Sequence, residues 1–400
     1  MTPKHQKRFD RALEVMPWGT QTNAKRLLPG CEESMPPFIK RGDGCRMWDL
    51  DDKEYIDYRC ALGPIILGYR YPEVEEAVRK QMENGILFSM ASPLELETAE
   101  KIIKMVPWID QLRFMKTGAD ACTCATRLAR SYTQRDHILT SGYHGYHDWF
   151  AFQWPNNGVP DALKSFVHEV SYGDVEAVER VFDEYGDHLA AAIVEPYDWE
   201  EVPGEAFLKT LRKKCDETGT ILIFDEILTG FRLAPGGAQE YYGITPDLAG
   251  FAKAMANGYP ISAYAGKRHL MEQLNKTIIT TTYAGDTYSL AAANAVMDVM
   301  QSEPVHDHIQ RMGQRLKDGM DDILRETGIP GHTGGVPHMP LIKFDFKDAS
   351  KRQEMMNRFF VELYKRGIFA NHRWLISYSH QTSDIDETLD KMRDSLKQIL

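Results

Sequence analysis

Thr220-Ile221-Leu222-Ile223-Phe224-Asp225-Glu226 is the stretch that decides the fold. Consecutive apolar residues, most of them β-branched or aromatic, describe a strand buried on both faces, as in a parallel sheet, and two carboxylates mark its C-terminal end. Ligands of open α/β sheets bind outside that end. Asp247-Leu248-Ala249-Gly250-Phe251-Ala252 reads as a second short buried strand, which runs into Lys253 and then the turn signal Asn257-Gly258-Tyr259-Pro260. An acid and a lysine on neighbouring strand ends suit pyridoxal phosphate, which takes a lysine for its Schiff base and an acid to keep its ring nitrogen protonated. A solvated strand edge and a surface lysine account for the same residues, so the rest of the chain has to decide.

The 400 residues exceed the usual size of one core, and 43% apolar content is enough to bury two or three subdomains. A net charge of −11 argues against a nucleic-acid groove or an anionic membrane surface, because neither attracts an acidic chain. The six cysteines form no C-x-x-C and no His/Cys spacing like a zinc site, so inert thiols in a reducing compartment and no metal are expected. The polar N-terminus lacks an apolar signal-like stretch and no apolar run approaches membrane length, which predicts a cytoplasmic protein.

Residues 1 to about 40 are polar and punctuated by Met16-Pro17-Trp18-Gly19, Leu28-Pro29-Gly30 and Met35-Pro36-Pro37, which predicts one short helix and then a draped arm. Arg41-Gly42-Asp43-Gly44 reads as a turn before a hairpin of residues 45–49 and 53–57. From about residue 110, strand, turn and helix alternate, with strands expected at 112–115, 138–140, 191–194, 221–224, 248–252 and 262–265. Such alternation implies a mostly parallel sheet covered by helices on both faces. A long helix from Leu290 leads to a C-terminal α+β portion with strands near 339–344 and 374–377.

Met115-Lys116-Thr117-Gly118-Ala119-Asp120-Ala121 lies where a strand feeds a helix. A small-residue turn at a helix N-terminus offers free N–H groups and a positive dipole end to a phosphate, and Thr117 can add a hydroxyl. An ordinary N-cap uses the same residues. In Gly142-Tyr143-His144-Gly145-Tyr146-His147-Asp148-Trp149-Phe150, Tyr143 can stack on a planar ring while Gly145 allows close approach, and core packing also explains such a run. His144 and His147 lack the glutamate of a helical H-E-x-x-H metal motif. Ala192-Ile193-Val194-Glu195-Pro196 sets another carboxylate at a strand end, and Ile279-Thr280-Thr281-Thr282-Tyr283-Ala284-Gly285-Asp286 is a hydroxyl-rich turn ahead of a helix.

With Met47-Trp48-Asp49-Leu50-Asp51-Asp52, Tyr55-Ile56-Asp57-Tyr58, Tyr143-His144-Gly145, Phe224-Asp225-Glu226-Ile227-Leu228-Thr229-Gly230-Phe231-Arg232, Gly243-Ile244-Thr245-Pro246-Asp247-Leu248 and Lys253, the chain resembles the class III, or ω-type, aminotransferases of the fold type I pyridoxal-phosphate enzymes. The resemblance runs from about Met16 to Asp386. Among the branches it looks most like the glutamate-1-semialdehyde aminomutases and their amino-sugar-associated relatives. It implies an α/β fold: a mostly parallel, mixed seven-stranded sheet flanked by helices, with a smaller α+β domain from the N- and C-terminal segments. Residues 1–60 would then be the arm and hairpin, 61–290 the large cofactor domain and 291–400 the C-terminal α+β domain.

The same resemblance implies that Lys253 forms the internal aldimine and shuttles the substrate proton, and that Asp225 pairs with the pyridinium nitrogen. Ile227 and Tyr143 would cover the two ring faces, Gly118 and Ala119 beside Thr117 would hold the phosphate, and Glu195 would join the cofactor contacts. Thr282 would complete the phosphate site of the neighbouring subunit in a homodimer with shared active sites. The implied reaction moves an amino group from an amino-acid donor to a carbonyl acceptor, a sugar or another hydroxylated aldehyde or ketone, by a ping-pong mechanism. Intramolecular transfer of the aminomutase type is the alternative. Thr117-Gly118-Ala119-Asp120-Ala121 departs from the family's Ser-Gly-Thr-Glu-Ala, and Gly285-Asp286-Thr287-Tyr288-Ser289-Leu290 from its Gly-Asn-Pro-Leu. Trp149 and His372 stand at positions where the aminomutases carry other residues near the substrate, and Arg373 is a candidate for holding a donor carboxylate.

Overall fold

The computed structural model describes residues 1–150, 157–198 and 204–400. The chain divides into two units, Met1–Tyr71 with Pro304–Leu400, and Pro72–Glu303.

The N-terminal part of the first unit begins with α1 (Pro3–Val15), whose first turn is capped by the Thr2 hydroxyl. Three antiparallel strands follow: β1 (Ile39–Asp43), β2 (Arg46–Asp49) and β3 (Glu54–Asp57). β1 corrects the reading of Arg41-Gly42-Asp43 as a turn. Its side chains are almost all exposed, so no apolar alternation announces it, and backbone pairing of Arg41 with Trp48 and Asp43 with Arg46 makes the strand.

The second unit opens with helices α2 (Pro72–Met82) and α3 (Pro93–Met105) and then alternates as expected: β4 (Gln111–Met115), α4 (Gly118–Thr133), β5 (His137–Ser141), β6 (Val167–Glu169), α5 (Val175–Tyr185), β7 (Leu189–Val194), α6 (Gly204–Thr218), β8 (Ile221–Glu226), α7 (Ala238–Tyr242), β9 (Leu248–Phe251), β10 (Ser262–Gly266), α8 (Arg268–Met271) and α9 (Thr287–Ser302). Among the described residues these strands make one seven-stranded sheet in the order β4-β10-β9-β8-β7-β5-β6. β10 runs antiparallel to both neighbours and the remaining pairs are parallel, so β4, β5, β7, β8 and β9 end on one edge. Every residue of β7 and β8 is buried, which is why their apolar runs are continuous rather than alternating. α4 lies on one sheet face: Ala121, Cys122 and Ala125 share a core with Ile193, Ile221 and Ile223. Small side chains on that helix let it sit close to the strands.

The first unit resumes with α10 (Val305–Thr327), the hairpin β11 (Gly331–Gly334) and β12 (Leu341–Phe344), α11 (Ala349–Lys365), β13 (Ile368–Phe369) and α12 (Thr382–Ile399). β13 pairs in parallel with β3. The strand expected at 374–377 does not form. The Trp374 and Ile376 N–H groups donate to the carbonyls of Pro340 and His338 and the Leu375 N–H to that of Tyr58, so the segment divides its bonds between two neighbours, with an isolated bridge of Arg373 to Leu341 in place of a strand, while Trp374, Leu375 and Ile376 are buried by packing. All six cysteines are free and buried. No helix among the described residues is long and apolar enough to cross a membrane.

Candidate active site

Successive residues of a strand face opposite sides. Ile221 and Ile223 of β8 face α4, so Asp225 does too, and Glu226 faces away. Asp225 is 3% exposed, and both its oxygens are held: Oδ2 accepts the Nδ1–H of His144 at 2.7 Å and Oδ1 accepts the Ile227 N–H at 3.0 Å. The Cys122 sulfur lies within 4.8 Å of the same His144 and Asp225 atoms, and burial together with the Asp225 charge pushes its thiol well up. Glu226 has a different task. It accepts the Thr229 hydroxyl and the N–H groups of Ala238 (3.0 Å) and Gln239 (3.2 Å), capping α7. Burial pushes its carboxyl up to about 7 against those bonds.

Lys253 leaves β9 in the left-handed region, at φ 44°. For a side chain with a Cβ this costs about 1–3 kcal/mol, a strain that tends to be kept at functional positions. Burial lowers the pKa of its amine, the charges of Glu195 and Asp225 raise it, and buried Arg232 lowers it further; the net direction is down. Glu195 follows β7. Burial and then the Asp225 charge push its carboxyl up to about 7, opposed by His144, Lys253 and the Tyr143 N–H.

At the start of α4 the Thr117 N–H donates to Asp120 Oδ2 at 2.8 Å, and the Asp120 N–H donates back to Thr117 Oγ1 at 3.2 Å. This capping box also takes the Thr117 hydroxyl, which donates to Asp120. The N–H groups of Gly118 and Ala119 are left without a partner among the described residues, and they sit at the positive end of a 16-residue helix. The turn from β5 presses on them. A Cβ at Gly145, where φ is +114°, would lie 2.4 Å from the Ala119 Cβ, and one at Gly118 would lie 2.8 Å from Ile227 Cγ2. Tyr143 stays 49% exposed and meets Phe150 edge-on at 6.0 Å.

One sheet edge therefore gathers a fixed carboxylate, an amine of lowered pKa, an open aromatic ring and two unpartnered N–H groups. This donor set fits pyridoxal phosphate, whose ring nitrogen, aldehyde and phosphate need those partners. The Trp149 Nε1–H donates to Thr123 Oγ1 at 2.7 Å, and the ring lines a groove of about 590 Å³ with Asp120, Arg127 and Tyr146. Thr282 is exposed in the turn before α9, and His372 and Arg373 are exposed residues of the first unit. His147 bonds to Thr123 at 2.6 Å, so the two histidines of the Tyr143 segment have different partners.

Sequence reasoning assigned no role to His144, Cys122 or Arg232, although His144 stands inside the quoted Tyr143-His144-Gly145 signature. Its buried Nε2 has no partner, so the Asp225 bond is what fixes the ring. His144→Ala removes the imidazole partner of Asp225 and is expected to weaken cofactor binding about 10-fold, the usual cost of removing a group that orients a functional ligand. His144→Asn, with an N–H near the old Nδ1, is expected to recover part of it in the same titration.

The profile of the class III aminotransferase family matches residues 30–400. The 3-aminobutyryl-CoA aminotransferase of Cloacimonas acidaminovorans is 32% identical over 402 residues, 98% of this chain and 96% of that protein. The glutamate-1-semialdehyde 2,1-aminomutase of Methanococcoides burtonii is 32% identical over 417 residues, covering 97% and 98%. Among solved structures, the FumI protein of Sphingopyxis sp. MTA144 in its PLP internal aldimine form superposes with a TM-score of 0.93 at 29% identity, over 100% of this chain and 97% of that one.

Proposed function

This chain belongs to the class III aminotransferase family, and from that premise we propose that it moves an amino group from an amino-acid donor to a carbonyl acceptor by a ping-pong exchange. The observation that carries the reading is the register of two strands. Asp225 lies opposite Gly250 and Glu226 opposite Phe251, so Lys253 emerges just past the level of Asp225 on the same edge. Bound pyridoxal phosphate supplies the electron sink for bond cleavage at the substrate carbon.

The chain's own groups do the rest. Asp225, locked by His144 and Ile227, holds a proton on the ring nitrogen. The Lys253 amine, its pKa lowered by burial, takes and returns the substrate proton. Gly118 and Ala119 would hold the phosphate through their N–H groups, Tyr143 and Ile227 would contact the ring, and Glu195 would add a carboxyl beside Lys253. The Thr117 hydroxyl, committed to Asp120, acts through the helix cap.

The finer reading adds a hydroxylated acceptor, a sugar or a related aldehyde or ketone, supported by the polar aromatic lining of Tyr146 and Trp149. His372 and Arg373 are its further substrate candidates. It also adds a cytoplasmic homodimer in which Thr282 reaches the partner's phosphate site. Exposed Met90, Ile278 and Tyr283, each more than 60% accessible, support a covering subunit.

The test separates two-substrate from one-substrate transfer. Holoenzyme mixed with an amino-acid donor alone is expected to release one equivalent of the matching oxo acid and then stop until a carbonyl compound is added. Continuous turnover of a single amino-carbonyl compound, with no second carbonyl partner, would instead establish the intramolecular aminomutase reaction, the activity named in several relatives.

A further inference from the structure

Between the last residue of β4 and the cap of α4, Lys116 ties three segments of the site together. Its ammonium donates to the Pro260 carbonyl at 2.9 Å and to Asp286 Oδ2 at 2.7 Å. Pro260 belongs to the loop that follows Lys253. Asp286 caps α9: Oδ1 accepts the N–H groups of Tyr288 (3.0 Å) and Ser289 (3.5 Å), and Oδ2 accepts the Ser289 hydroxyl (2.6 Å) as well as Lys116. The pair is largely shielded, with side chains 18% and 13% exposed. Burial alone would raise the Asp286 carboxyl, but the bonds from Lys116 and Ser289 hold it below its ordinary range.

The neighbouring bonds brace the same junction. The Ser262 hydroxyl, at the start of β10, donates to the Thr117 carbonyl at 2.7 Å. The Thr287 N–H and hydroxyl donate to the carbonyls of Ile86 and Gly85, fixing the first turn of α9. A hydrogen-bonded, half-shielded pair of this kind is costly to break on one side only, because the remaining charge loses its partner. Asp286 also lies in a segment where this chain departs from the family pattern, and Lys116 directly precedes the other.

We propose that Lys116 and Asp286 are a positioning pair that sets cofactor affinity. By fastening the phosphate-facing turn to the Lys253 loop and to the start of α9, they hold the Gly118 and Ala119 N–H groups and the Thr282 turn in one arrangement before the anion arrives, so binding need not order them. The proposal rests on Gly118 and Ala119 being the phosphate seat.

The experiment titrates apoenzyme with pyridoxal phosphate, following protein fluorescence, and melts the same apoproteins. Lys116→Met and Asp286→Asn, which keeps the α9 cap, are each expected to raise the dissociation constant about 10-fold. The double variant is expected to do no worse than either single one, since both break one interaction. A purely structural role lowers the apoprotein melting temperature and leaves the dissociation constant unchanged, and that result overturns the proposal. If Lys116→Met does not fold, unchanged affinity in Asp286→Asn overturns it, and weakened affinity there with wild-type affinity in Lys116→Arg supports it. Ala119→Asp sets an acid against the two N–H groups as a control. Normal binding by that variant removes the phosphate seat and the proposal with it, whereas defective binding there beside normal binding in Lys116→Met removes the proposal alone.

Discussion

Lys253→Ala is expected to lower the rate of amino transfer by at least about 10⁴-fold. In the proposed reaction the substitution removes both the covalent attachment of the cofactor and the amine that moves the substrate proton. The backbone is expected to survive, because alanine tolerates the left-handed region no worse than lysine does and the neighbouring strand register is set by β8 and β10. The loss should therefore be chemical. Single-turnover rates with an amino-acid donor measure it, and the absorption band of the lysine-bound cofactor reports the attachment independently. A variant that kept both the band and the rate would move the reactive amine away from Lys253.

Asp225→Asn is expected to lower the same rate by roughly 10²–10³-fold, the cost of removing one preorganised charge from a buried site. Asparagine is nearly the same size, and its side-chain oxygen can still accept one of the two bonds from His144 and Ile227, so the site keeps its shape and loses its charge. The variant also carries a pH signature. The Asp225 charge is the second cause, after burial, that lifts the Glu195 carboxyl to about 7. With that charge gone the Glu195 pKa falls, so any limb of the rate profile that Glu195 governs should move to lower pH. A profile unchanged in shape and reduced only in height would show that Glu195 does not titrate in the working range.

How far the chain could be read depended on where each feature's partner lay. β8 was legible because a fully buried parallel strand leaves an uninterrupted apolar run, and Lys253 because a second such run ends on it. Such runs marked six of the seven strands, whereas β6 (Val167–Glu169) has no fully buried residue to announce it; the count of seven and the family of fold came from the resemblance. Other features were set by contacts that spacing does not encode. The His144 partner is 81 residues away. The separate tasks of Asp225 and Glu226 depend on which face of the sheet α4 covers. β1 exists through backbone pairing with a polar edge, and 374–377 is apolar because it is packed rather than laddered. Trp149, which the resemblance placed near the substrate, gives its indole N–H to Thr123, a contact that only the folded helix creates.

The opposite orientation of Asp225 and Glu226 has a consequence for how β8 can change. Deleting or inserting one residue upstream within the strand would exchange the two acids: the longer one would crowd His144 and Cys122, and the shorter one would fall short of the α7 amides. Swaps of one aliphatic residue for another leave this phase intact. The tolerance of β8 is thus for content and not for length, and a parity of one residue separates the acid proposed to serve the cofactor from the acid that holds a helix in place.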